Sequence, residues 1–85
     1  MKNEIPQYYI IEVQLPDGQV VWVENIEFCH MHFVSYKNSL VRITDRISYA
    51  VKFISLELAS TLMKLVVVPA YPGCKVRVVD IRHLL

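Results

Sequence analysis

Apolar positions recur every three or four residues between Ser55 and Val66. Ala59, Leu62, Met63 and Val66 stand at i, i+3, i+4 and i+7, while Glu57, Ser60, Thr61 and Lys64 fall largely on the other side. Ser55 offers an N-cap oxygen to an unpaired amide of the first turn, and Glu57 sits near the positive end of the helix dipole. The spacing predicts one helix over about 56–67. It should stop before Pro69, because proline has no amide hydrogen to donate and disfavours the helical conformation in the residue before it. Phe53 and Leu62 are the expected buried contacts between this helix and a sheet. Residues 69–73, Pro-Ala-Tyr-Pro-Gly, read as a loop.

The rest of the chain alternates with a period of two. Residues 8–15 put Tyr9, Ile11, Val13 and Leu15 on the expected core face and Tyr8, Ile10, Glu12 and Gln14 on the other. Pro16, Asp17 and Gly18 carry turn chemistry, so residues 19–25 should return as the second strand of a hairpin, with Trp22 only half covered beside Glu24. Residues 27–36 alternate as a third strand, and 40–43 form a short fourth strand or an extended arm. A last strand is expected over 74–81, with His83 and its neighbours frayed. The order predicts an α+β fold: an antiparallel sheet of three to five strands starting with a β-hairpin, and one helix packed on one face.

Eighty-five residues make one domain, 1–85, with a thin core. Yet 54% of the residues are apolar and the mean hydropathy is +0.35, more than a core of this size absorbs. The longest uncharged runs fall well short of the roughly 20 residues that cross a bilayer. The first residues, MKNEIPQYY, place Glu4 and Pro6 where a signal peptide needs an apolar stretch, so a cytoplasmic protein with reduced Cys29 and Cys74 is expected.

The net charge of +1 gives no general field toward nucleic acid. Its distribution is uneven: residues 1–36 hold one basic against five acidic residues, and the remainder eight against three. Cross-strand pairing within one sheet accounts for that asymmetry; otherwise the molecule has two unlike faces.

The pattern Ile47-x-x-Ala50-x-x-Phe53-x-Ser55-x-Glu57-x-Ala59, preceded by Thr44-Asp45 and by a hairpin of the YYIIEVQLPDGQVVWV kind, resembles one found in small proteins of bacteriophages and mobile elements. The resemblance implies a ββαβ-type fold of phage or prophage origin, and no catalytic or binding residue. Leu56 and Leu58 depart from it, standing where more polar residues are expected. That leaves the helix unusually apolar.

Chemistry-bearing clusters are few. Cys29-His30-Met31-His32 could present two histidines on one strand face, but a zinc site needs three or four ligands, and only Cys74 and His83 remain at a distance. No metal and no cofactor is expected. Cys29 and His32 lack the surroundings of a nucleophile and base, and Gly18 and Gly73 both fall in turns rather than a phosphate loop, so no enzyme is expected. Lys75, Arg77 and Arg42, joined by Arg46 and Lys52 and with Tyr49 and Tyr71 as stacking groups, compose the candidate nucleic-acid surface. Trp22, Tyr8, Leu58, Leu65 and Tyr71 compose the candidate partner-binding set, since Trp, Tyr and exposed apolar residues concentrate in interfaces.

The favoured reading is a non-enzymatic protein-interaction module of phage type. An inhibitor of a host or defence system, such as an anti-CRISPR-like protein, is the form that the resemblance implies. The alternative is a small nucleic-acid-binding domain. The apolar surplus further predicts a homodimer, through a strand edge or through the helix surface bearing Leu58 and Leu65.

Overall fold

The computed structural model describes residues 7–27 and 40–84. Four strands form one antiparallel sheet: β1 (Tyr9–Gln14), β2 (Val20–Glu27), β3 (Leu40–Thr44) and β4 (Lys75–Asp80), in the spatial order β3-β2-β1-β4. Between β3 and β4 the chain makes one helix, α1, of 15 residues at positions 56–70. The α+β architecture and the opening hairpin are those expected from the sequence. Of the third strand predicted over 27–36, Glu27 is instead the last residue of β2, and the rest, with the histidine cluster, lies outside the described residues.

Register explains which side chains meet. Val13 stands opposite Val21 on β2 and Val76 on β4, and Ile11 opposite Val78. Together with Val23 and Val67 of α1 these line the helix side of the sheet, where Ile11, Val13, Val23 and Val67 have no exposed surface. The β1–β2 turn is closed by the Gly18 amide donating to the Leu15 carbonyl and by Asp17 Oδ1 accepting from the Gln19 amide, each at 2.9 Å. Gly18 has φ of +92°, a conformation that glycine adopts without steric cost.

Sequence alternation did not foresee the course of β2. A register shift between Val23 and Asn25 inserts a β-bulge, after which Ile26 pairs with Val41. Without the extra residue Ile26 would point away from the core; with it, both pack against the helix-side cluster.

The helix also departs from expectation. It continues through Pro69, because its middle is wound differently: α over Leu56–Leu62, π over Met63–Val67, and α again over Val68–Ala70. The Val68 amide donates to the Met63 carbonyl, five residues back. A π-turn is wider and offsets the carbonyls by one residue, which relieves the clash between the Pro69 ring and the turn before it. The same offset swings Val67 onto the sheet, a residue absent from the predicted stripe. Leu62 and Phe53, expected to be buried, are only partly so.

The opposite face is not bare. Beyond the Glu12–Trp22 pair, β1 and β2 part, and residues 51–53 lie in the fork. The Val51 amide donates to the Val23 carbonyl at 2.9 Å, while Tyr9 and Phe53 exchange two backbone hydrogen bonds of 2.8 Å. The 3-10 turn Ile47–Tyr49 just ahead of this segment brings Ala50 onto the far face. There it forms a second, smaller core with Ile10 and Val79, against which Trp22 packs. Ile10 was expected on the non-core face and is instead fully buried, because the sheet is covered on both sides at this end. After β4 comes a 3-10 turn over Ile81–Leu84, where Ile81 was expected to end the strand and His83 to fray; it is tied back by the Ile81 amide donating to the Tyr8 carbonyl at 2.9 Å.

Candidate interaction surface

Ser55 caps α1 as the sequence predicts: its Oγ accepts from the Leu58 amide at 3.1 Å. The cap fixes the start of the helix, and the start fixes what faces outward. Ala59, Val66 and Val67 are buried. Leu58 and Leu65, two turns apart with exposed Thr61 between them, are 51% and 47% exposed. Leu56 is half exposed and Val68 nearly so, and Ile54, on the lead-in to the helix, is 82% exposed. Five large aliphatic side chains on one helix and its approach therefore remain in water. At about 25 cal/mol per Å² of apolar surface, their exposure is a sizeable unspent driving force in so small a domain.

The other members of the partner-binding set are placed elsewhere. Trp22 is half-buried on the face away from the helix, and its indole Nε1 is buried without a hydrogen-bond partner among the described residues. Tyr71 turns inward: it packs on the helix-side core, and its hydroxyl donates to the Val41 carbonyl at 3.2 Å. Burial first, and the neighbouring Cys74 second, push its hydroxyl above the usual tyrosine pKa, so it stays a neutral donor. Tyr8 is half-buried at the start of β1. The structure thus brings Leu58 and Leu65 together and separates both from Trp22.

The basic set is divided too. Lys75 and Arg77 stand two residues apart on edge strand β4, and with Glu12, Gln14 and Val20 they line a shallow groove of about 370 Å³. Arg42 sits on β3 at the opposite edge, three strand spacings or roughly 14 Å away. Arg77 donates a hydrogen bond to Glu12, its register partner, and so holds its guanidinium proton more tightly. Arg42 lies 3.8 Å from Glu27. Two of the acidic residues of the first part are thus paired with basic residues of the second across neighbouring strands. Arg46 stacks over Tyr49, 5.8 Å from the ring centroid, so this tyrosine already has a cation on one face.

Among the described residues no three His, Cys, Asp or Glu side chains are grouped as metal ligands, and no helix is long and apolar enough to cross a membrane. No family model, curated protein or solved structure matches the chain.

Proposed function

We propose that this chain is a non-enzymatic protein-interaction module that docks through the outward surface of α1. The observation that supports this most is the exposure of Leu58 and Leu65 on a helix whose cap and core contacts hold that surface in place. Helix-in-groove and helix-on-helix recognition both use such a row of apolar anchors. The finer reading, a phage-type protein that inhibits a host or defence component, is supported by the resemblance of the Ile47–Ala59 pattern.

The test is affinity capture from a bacterial lysate with the tagged protein and with a Leu58→Glu/Leu65→Glu variant whose circular dichroism matches that of the unaltered chain. The expected result is a protein retained by the first and lost by the second. Retention of nucleic acid instead, abolished by Lys75→Glu and by moderate salt, would replace the module with the nucleic-acid-binding reading.

A further inference from the structure

The outward surface of α1 is self-complementary about its middle. Leu58 lies three residues before Thr61 and Leu65 four after it; Glu57 lies four before and Lys64 three after. If a second helix is laid antiparallel on the first, with the two-fold axis beside Thr61, each Leu58 meets the other copy's Leu65. Each Glu57 then approaches a Lys64. A parallel arrangement would instead leave each Glu57 and Lys64 on opposite sides of the seam from their counterparts, with no opposite charge at the same level.

Glu57 and Lys64 are both exposed, and among the described residues neither takes part in an ion pair. They cannot meet on their own helix, being about 10 Å apart along its axis. On the sheet, by contrast, Glu12 is paired with Arg77 and Glu27 with Arg42 within the molecule. Glu57 and Lys64, the charges flanking the apolar row, are arranged for an isologous contact.

We infer that the occupant of this surface is a second copy of the chain, seated as an antiparallel α1 pair. The inference rests on the reading of α1 as the docking element and names its partner. A 15-residue helix is about 22 Å long and 10 Å wide. Its outward face is therefore on the order of 200 Å², well under the roughly 800 Å² per partner of a standard interface. The dimer is accordingly weak and concentration-dependent.

Sedimentation equilibrium from about 10 μM to about 1 mM is the measurement. The mass of the unaltered chain is expected to rise from 9.9 kDa toward twice that value. Glu57→Lys alone and Lys64→Glu alone each weaken association about tenfold or more, by setting like charges opposite each other, and the double exchange Glu57→Lys/Lys64→Glu restores it to within about threefold. Leu65→Glu keeps the chain monomeric.

Association that ignores all four variants overturns the α1 pair. A chain that stays monomeric at 1 mM also overturns it. In that case, if Leu58→Glu/Leu65→Glu still loses a captured protein, the module reading survives with a foreign occupant; if capture is unchanged, both readings fall.

Discussion

Asp80 closes β4 by holding the chain that follows it. Its Oδ1 accepts from the Arg82 amide at 3.0 Å, the Arg82 guanidinium donates to its Oδ2 at 2.9 Å, and Gln7 Nε2 donates to the same oxygen at 3.3 Å. The Arg82 side-chain bond first, and the Arg82 backbone bond second, lower the carboxyl from 3.8 to about 2. The folded chain thus binds this proton less readily than the unfolded one. The stabilisation is complete above about pH 4 and is lost as pH falls toward 2. Asp80→Asn is expected to flatten the decline of the urea midpoint in that window and leave its shape at neutral pH unchanged. At this scale the sequence was legible for residues that act locally: Ser55 as cap and Gly18 in the turn follow from their own backbone chemistry. It was not legible for Tyr71, whose inward hydroxyl depends on a carbonyl of β3 thirty residues earlier.

Elements were legible where one period ran unbroken and illegible where it slipped. The alternation of β1 and β4 identifies both strands to within a residue of their observed ends. In β2 the period of two fails at the bulge, so the sequence reading stops at Asn25 although the strand runs to Glu27. In α1 the period of 3.6 gives way to the π-turn, and the reading stops before Pro69 while missing Val67. Each slip adds one residue, and each puts an apolar side chain back on the core. Local patterns cannot reveal such insertions, because only the facing element rewards them. The helix start is a separate matter, decided by the cap. Ser55→Ala is expected to lower stability by about 1 kcal/mol in denaturant unfolding, and Ser55→Asp to retain most of it.

For the whole molecule, the fold class could be read from the order of periods, and the exposed aliphatic surface from the excess of apolar residues over core volume. Leu58 and Leu65 could be placed outside by their positions off the apolar stripe, whereas Val68 could not, since its exposure depends on the π-turn that carries α1 past Pro69. The tertiary feature furthest from local pattern is the fork between β1 and β2, occupied by a segment that follows them by some thirty residues. Its consequence concerns amide hydrogen exchange. The amides of Tyr9, Val51 and Phe53 belong to a strand end and a connection, where exchange is ordinarily fast. Here each donates across the fork, so none can open unless β1, β2 and the segment separate together. Their exchange is therefore expected to be as slow as that of Ile11 and Val13 and to track the global unfolding free energy as denaturant is added. Protection of Ile11 without protection of Val51 and Phe53 would show that the segment opens alone, while its continued protection would mark the smallest piece of this chain that unfolds as including both strands and the connection between β3 and α1.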